Sequence, residues 1–332
     1  MPILAFDIGG ANIKAAHSDG TALVRSFELW RAPQRLGEEL EAVERSMPPF
    51  ERMAVTMTAE LCDCFATKRD GVSHVLEAAA GLAGGRPVHV WLTEGRFATP
   101  QEAAQRPLAC AASNWHALGS FVAGAWAPQV AMLIDVGSTT TDLMRLSGGK
   151  LCAAGLTDTQ RLATGELLYL GVQRTPLMAL GPTIEWSKGR HALMAERFAT
   201  TQDLYVLTGQ SAPRADCRET CDGRPLTRQA AAARVLRMIG ADLEMFSEDD
   251  AVQLAEALAA EVRSRLAKAI EHIAAGRRIE RVVVSGSGSF IAEEAVRLEV
   301  PSVKIDRLSD RIGERASTAA CAHALVRLLG TS

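Results

Sequence analysis

The sequence predicts an α/β protein of two lobes that face each other across a ligand cleft. Three observations predict this. At 332 residues the chain exceeds the length at which a single hydrophobic core usually keeps growing. Short apolar strands alternate with amphipathic helices along most of it. The opening pattern also returns near the middle: Phe6-Asp-Ile-Gly-Gly10 is matched by Ile134-Asp-Val-Gly-Ser138, and each is followed by a polar hairpin partner.

Taken in order, Ile3–Ile8, Asn12–His17 and Ala22–Glu28 read as a three-stranded meander, turned at Gly9-Gly10 and Asp19-Gly20. Leu36–Met47 has helical periodicity, Met53–Met57 reads as a strand, Val72–Leu82 as a helix and Val88–Leu92 as a strand. One long helix is expected over Leu108–Trp126, stopped by Pro128, because a proline disfavours helix in the residue before it. The second meander follows as Val130–Val136, Thr139–Leu146 and Leu151–Ala154, with Gly148-Gly149 as a turn.

Residues 156–186, rich in Gly, Thr and Arg without clean periodicity, predict an irregular insertion over the cleft. Helices are expected from about Arg190, Arg228 and Asp249. Arg281–Ser285 is a buried strand running into Gly286-Ser-Gly288 with a helix behind it, and Val303–Ile305 and a terminal helix close the chain. The expected division is a first lobe over 1–126, a second over 127–310, and a C-terminal helix over 311–332 that packs back towards the first lobe.

Composition removes several function classes. With 48% apolar and 23% charged residues the chain is an ordinary globular protein. A net charge of -3, with arginines scattered opposite acidic partners, argues against nucleic acid. The start lacks a basic stretch before its apolar run, and Ala117–Ile134 is broken by Pro128 and followed by Asp135, so no signal peptide or membrane span is expected and the protein is placed in the cytoplasm. Seven cysteines without framework spacing fit a reducing compartment. Cys217 and Cys221 form an incomplete zinc pattern, so free thiols are expected there.

Three constellations could carry chemistry. In Asp7-Ile-Gly-Gly-Ala-Asn-Ile-Lys14, a strand ends in a carboxylate and continues through Gly9 and Gly10, whose backbone N–H groups can approach phosphate oxygens closely. Asp7 would orient a metal ion or water, and Asn12 and Lys14 alternate onto one side of the next strand. Taken alone, it is equally well a Gly-Gly hairpin with a solvated lysine. The second, Asp135-Val-Gly-Ser-Thr-Thr-Thr-Asp142, repeats the Asp-x-Gly opening at Gly137 and adds the hydroxyls of Ser138, Thr139 and Thr140. Two such hairpins, each heading a three-strand unit, make coincidence a poor account. The third, Gly286-Ser-Gly288 after a buried strand, could cradle a nucleotide or pyrophosphate at a helix start, but it lacks the third glycine that NAD binding requires.

These hairpins and the late Gly-x-Gly turn resemble the two phosphate motifs and the adenosine motif of the actin-like ATPase (ribonuclease H-like) superfamily, which includes sugar kinases. More narrowly, Phe6–Lys14, Thr56-Met-Thr-Ala-Glu-Leu-Cys-Asp-Cys64, Ser113-Asn-Trp-His116, Gly165-Glu166 through Gly171-Val-Gln-Arg-Thr-Pro176 and Phe198–Asp203 resemble a hydantoinase/oxoprolinase-like family linked to tetrahydromethanopterin-dependent one-carbon metabolism. Its archaeal members are associated with methanofuran biosynthesis.

The resemblance implies a transferase that joins an aminomethylfuran-methyl diphosphate to the phenol of a glutamyl-tyramine and releases diphosphate. Phosphate-binding hairpins and a Mg2+ ion on Asp7 or Asp135 would stabilise the charge growing on the leaving group. Glu60 and Asp63, after a buried strand, could take the phenol proton or hold a substrate amine; the plainer reading is a capped helix start. Asn114, Trp115 and His116 would open the long helix, Trp115 stacking on a ring and His116 moving a proton, although a histidine on an Ala-rich helix is more often simply packed. Glu166 and Arg174 sit in the insertion, and Arg174 could fork onto a phosphate or form a surface ion pair. The alternative is an ATP-dependent small-molecule kinase or ligase of the same superfamily. In either case the partner is a small phosphorylated molecule, and the oligomeric state is left open.

Overall fold

A computed structural model of the chain describes residues 1–126 and 131–331. The expected helix stop at Pro128, the start of the second lobe at 127 and the strand start at Val130 lie outside the described residues.

The first sheet grows from the meander of β1 (Ile3–Ile8), β2 (Asn12–His17) and β3 (Ala22–Ser26). After α1 (Leu36–Glu44) come β4 (Arg52–Met57), α2 (Lys68–Ala83), β5 (Val88–Leu92) and the edge strand β6 (Arg96–Ala98). The order is β3-β2-β1-β4-β5-β6, with the β1–β4 and β4–β5 pairs parallel. Two short helices, α3 (Pro100–Gln105) and α4 (Pro107–Cys110), lead to α5 (Asn114–Trp126).

The second sheet repeats the plan. It starts with β7 (Ala131–Val136), β8 (Thr141–Ser147) and the two-residue β9 (Lys150–Leu151), continues through α6 (Asp158–Thr164) and β10 (Leu167–Leu168), and is followed by the hairpin of β11 (Thr183–Trp186) and β12 (Gly189–Ala192). Helices α7 (Thr201–Leu207), α8 (Arg228–Arg237) and α9 (Glu248–Ala274) precede β13 (Arg281–Ser285), α10 (Ser289–Glu299) and β14 (Lys304–Arg307). The order is β10-β8-β7-β13-β14, again with parallel pairs at β7–β13 and β13–β14. The short α11 (Ser309–Ile312) and α12 (Glu314–Ser317) deliver the terminal α13 (Ala320–Gly330).

Strand periodicity sorts the core into layers. Leu4, Phe6 and Ile8 of β1 face outward onto α1 and α2, while Ile3 and Ala5 face inward onto Leu325 and Leu329 of α13. In β7 the same alternation sends Met132, Ile134 and Val136 to the outer layer under α9 and α10, and Ala131 and Leu133 inward onto Leu118 and Val122 of α5. Helices α5 and α13 thus pack between the sheets, and α13 lies on β1, β2 and β4. The outer cover of the second sheet is anchored by α9, whose Leu254, Leu258, Val262, Leu266 and Ile270 recur every four residues and are buried. Its start is fixed by a capping box between Ser247 and Asp250.

Several expectations need correction. The helix expected over Leu108–Trp126 is two helices, because Ala112 adopts a left-handed φ of 46° and Ser113 gives its hydroxyl to the Trp91 carbonyl at 3.0 Å. The break makes Asn114 the first residue of α5, with its Oδ1 accepting the Trp115 N–H at 2.7 Å. Residues 156–186 are irregular only in part: Thr157 and Gln160 form a capping box that starts α6, and Gly165, at φ 75°, ends it. No helix starts near Arg190, where Ile184 and Trp186 alternate inward and Gly189 at φ 102° turns a hairpin. The helix there begins at Thr201, after a Thr200–Asp203 capping box.

Candidate active site

The two hairpins meet. The inward phase of β1 and β7 carries Asp7 and Asp135 to the same interior side, and both line one cavity of about 390 Å³ between the sheets. The loops after them close with the same hydrogen bond: the Gly9 N–H donates to the Asn12 carbonyl at 3.0 Å, and the Gly137 N–H to the Thr140 carbonyl at 2.8 Å. Register places Lys14 opposite Asp7 on β2 and Asp142 opposite Asp135 on β8.

The charge balance of this chamber is uneven. Burial raises the Asp7 carboxyl above its ordinary range, against the pull of Lys14 and the neighbouring Asn114 amide, and its Oδ1 is buried without a hydrogen-bond partner. Burial, with the Asp142 charge beside it, pushes Asp135 up to about 6. Asp142 is also raised by burial, despite the ion pair it makes with Arg161 at 2.7 Å. Burial opposes the charge on Lys14, but the surrounding carboxylates, Asp7 foremost, outweigh it and hold the ammonium firmly protonated. A single lysine thus stands among three buried carboxyls.

Arg161 is almost fully buried and does three things at once. Its Nη1 donates to Asp142, its Nη2 to the Glu166 carbonyl at 3.0 Å, and its guanidinium lies 3.8 Å from the centre of the Trp115 ring. Trp115 touches the cavity, but its face is taken by Arg161 and is not open to a substrate ring. Elsewhere in the lining Arg174 of the second half lies 4.7 Å over the Trp30 ring of the first, joining the two halves.

Glu60 forms the third wall. It sits on a single 3-10 turn after β4, without a side-chain cap, and α2 presses directly on it: a Cβ on Gly71 would lie 2.6 Å from the Glu60 Cα. Neither carboxyl oxygen has a side-chain hydrogen bond, and Lys68 Nζ stands 3.9 Å from Oε1. Burial pushes the carboxyl up to about 7, although the Lys68 ammonium pulls the other way.

Of the residues singled out in the sequence, Asp7, Gly9, Gly10, Asn12, Lys14, Glu60, Asn114, Trp115, Asp135, Gly137, Ser138, Thr139, Thr140 and Arg174 line this cavity. Five do not. Asp63 is exposed outside it. His116 is buried behind it, its Nδ1 accepting the Trp91 indole N–H at 3.3 Å, and burial lowers it to about 4. The Glu166 carboxylate accepts the N–H groups of Ala154 and Gly155 at 2.8 and 2.9 Å, which fixes the chain before α6. Gly286 and Gly288 back onto β7: the Gly288 N–H donates to the Val136 carbonyl at 2.9 Å, and a Cβ on Gly286 would lie 2.2 Å from that same oxygen. The turn expected to cradle a nucleotide thus packs against the end of β7, the strand that leads into the second hairpin.

The cavity also contains Asp142, Asp158, Arg161, Tyr169, Trp30 and Cys321, which the sequence reading passed over. Asp142 was within reach, because the offset that carries Asp7 onto Asp135 carries Lys14 onto Asp142. The others come from the segment read as irregular, from the 3-10 turn Leu29–Arg31 and from the terminal helix, where no spacing pattern points at the cleft. Among the described residues no group of three His, Cys, Asp or Glu side chains could hold a metal by itself.

The family model of hydantoinase/oxoprolinase matches residues 51–328. The chain belongs to the hydantoinase/oxoprolinase family. This family member is 30% identical over 330 residues to the (4-{4-[2-(gamma-L-glutamylamino)ethyl]phenoxymethyl}furan-2-yl)methanamine synthase of Methanocaldococcus jannaschii, a match that covers 98% of this chain and 97% of the relative. Among solved structures it is similar to a ROK family glucokinase from Streptomyces griseus in complex with glucose and AMPPNP, at a TM-score of 0.52 and 12% identity, with all of both chains covered. At that identity the likeness shows the fold alone, and the fold of this hydantoinase/oxoprolinase member is the two-lobed actin-like one. Among the described residues no helix is long and apolar enough to cross a membrane.

Proposed function

We propose that the protein is a transferase that joins an aminomethylfuran-methyl diphosphate to the phenol of a glutamyl-tyramine, releasing diphosphate, in the assembly of a methanofuran-type cofactor. The observation that carries the reading is the near full-length match to a synthase named for such an ether, on a chain whose two hairpins converge on one chamber.

In the step proposed, the bond between the furanylmethyl carbon and the diphosphate oxygen breaks and its electron pair leaves with the diphosphate. The phenol oxygen forms the new bond to that carbon, and the phenolic proton passes to Glu60. Lys14 and the hydroxyl-bearing Ser138, Thr139 and Thr140 line the chamber and would receive the departing diphosphate, where charge develops in the transition state. Arg174, also in the lining, would hold the outer phosphate. Glu60, buried and raised to about 7, suits a base that works near neutrality.

A magnesium ion fits this chamber. Asp7 offers a buried, unpartnered Oδ1, and Asp135 lies across from it on the other hairpin. Magnesium is commonly held by one or two carboxylates together with substrate phosphate oxygens, and two carboxylates are what these hairpins supply. When bound there it would neutralise charge on the diphosphate.

The ATP-dependent kinase alternative draws less support, because Gly286 and Gly288 pack against Val136 and do not line the cavity. The purified protein incubated with the furan diphosphate, glutamyl-tyramine and Mg2+ should form the ether and diphosphate in equal amounts. Absence of both products, or turnover only with ATP, would remove the reading.

A further inference from the structure

Lys68, the first residue of α2, stands between two carboxylates that belong to different halves of the molecule. Its Nζ is 2.7 Å from Asp158 Oδ2 on α6, across the cleft, and 3.9 Å from Glu60 Oε1 on its own half. Asp158 thus takes the ammonium at full hydrogen-bond distance, while the buried Glu60 has no side-chain hydrogen bond and holds Lys68 only at the long end of an ion pair. A buried carboxylate beside a flexible lysine stem would ordinarily draw the ammonium to itself, because an unpaired buried charge is costly. Here a second acid competes for it.

We infer that Asp158 is a positioning residue that holds Lys68 away from Glu60, and so keeps Glu60 free to act as a base. This inference deepens the transferase reading and rests on it for the role of Glu60. The ionisable groups around Glu60 are Lys68 on α2, Asp158 on α6, Cys62 after its own turn, Cys110 on α4 and Tyr169 after β10. Burial pushes the two thiols up to about 11 and about 12 and raises the Tyr169 phenol, so at neutral pH these three are uncharged. Among the described residues, the full charges that act on Glu60 are therefore those of Lys68 and Asp158, and the distance between Lys68 and Glu60 sets how strongly the ammonium holds the base in its charged form.

With Asp158 removed, Lys68 has Glu60 as its nearest carboxylate. Glu60 should then gain a direct ion pair, titrate at lower pH and become a weaker base. Asp158 also acts on Glu60 through space, since its own negative charge raises the Glu60 carboxyl. The two routes separate when Lys68 is absent: the direct field of Asp158 persists, but there is no ammonium to release.

The test is a titration of Glu60 followed by NMR in full-length protein labelled with 13C at the glutamate side-chain carboxyl, the resonance being assigned by its loss in Glu60→Gln. Asp158→Asn, with Asp158→Ser as a second version should the first fold poorly, should lower the Glu60 midpoint by about one pH unit or more. In a Lys68→Met background the same change should move it by less than half as much. An unchanged midpoint in both Asp158 variants, or an equal shift with and without Lys68, overturns the inference. The pH profile of kcat, measured in parallel, separates this inference from the reading beneath it. An acid limb that follows the NMR midpoint downward supports both, whereas a midpoint that moves while the limb stays keeps the Lys68–Asp158 relation and overturns Glu60 as the base.

Discussion

Lys14 and Asp142 occupy the same position in the two halves of the molecule, one opposite Asp7 and the other opposite Asp135. The backbone repeats at this point, but the charge is reversed. In the first half the inward carboxylate faces an ammonium, and in the second it faces another carboxylate whose charge is taken up by Arg161 at 2.7 Å. A symmetric pair of loops thereby becomes a polar chamber, with a cation at the first hairpin and acids at the second.

If Lys14 receives the departing diphosphate, Lys14→Met should reduce kcat by about 100- to 1000-fold, the range typical for removal of one preorganised donor to developing charge. The KM for glutamyl-tyramine should change little, since the loss falls on the leaving group. Steady-state kinetics with each substrate varied decides it, and an equal rise in KM for both substrates would place the lysine elsewhere.

Asp135 should cost the protein stability where it is ionised. Its folded pKa, about 6, lies above the ordinary value of 3.8, so the folded state binds more protons than the unfolded state between those values. Stability must then fall as pH rises from about 4 through 6. Asp135→Asn removes that loss: it should be more stable than the natural protein at pH 7.5 by about 1–3 kcal/mol, with the difference vanishing near pH 4. The same variant should be inactive. Urea melts at the two pH values check the first claim and product formation checks the second.

Glu60 leads to a prediction about rate. A base that must be deprotonated works above its pKa, so kcat should rise with pH to a plateau beyond about 7. Glu60→Gln should remove that limb and lower the plateau by about 100- to 10,000-fold. A limb that survives in the glutamine variant would assign the proton to another group.

The parts of this site that could be read from the sequence are those set by local periodicity. Asp7 and Asp135 each follow a run of alternating apolar residues, and alternation alone decides which face a residue takes; the Gly9–Asn12 and Gly137–Thr140 closures follow from the turn. The pair Lys68 and Asp158 is separated by 90 positions and meets only through tertiary packing, so no spacing in the chain points to it. Neighbouring residues also diverge. Trp115 and His116 adjoin in sequence, yet the turn of α5 sends the first to the second sheet and the cavity and the second beneath Trp91. The glycines at 286 and 288 were visible, but what they accommodate, the Val136 carbonyl and side chain, was not.

Gly286 therefore makes a sharp test of fit. Its φ of 85° is one that side chains rarely adopt, and a Cβ would lie 2.2 Å from the Val136 carbonyl oxygen and 2.8 Å from Asp135 Oδ1. Neither neighbour can retreat, since one is backbone in the middle of the sheet and the other lines the chamber. Gly286→Ala should destabilise the protein by more than about 3 kcal/mol, and nucleotide addition should not restore it. A thermal melt within a few degrees of the natural protein would show that the turn is loosely packed and open to a ligand.

His116 should matter for acid stability and not for turnover. Burial, with Arg161 adding to it, lowers the imidazole to about 4, below its ordinary 6.5, so it is neutral in the folded protein at working pH. Between those values the unfolded chain binds the extra proton. Stability from this group is therefore complete above 6.5 and is lost as pH falls towards 4. His116→Gln, which can still accept the Trp91 indole N–H, should flatten the pH dependence of the melting temperature in that window while keeping kcat at pH 7.5 within about threefold of the natural value. A kcat loss of the size expected for Glu60→Gln would return His116 to the reacting groups and require a proton path from the cavity to a ring the structure places behind it.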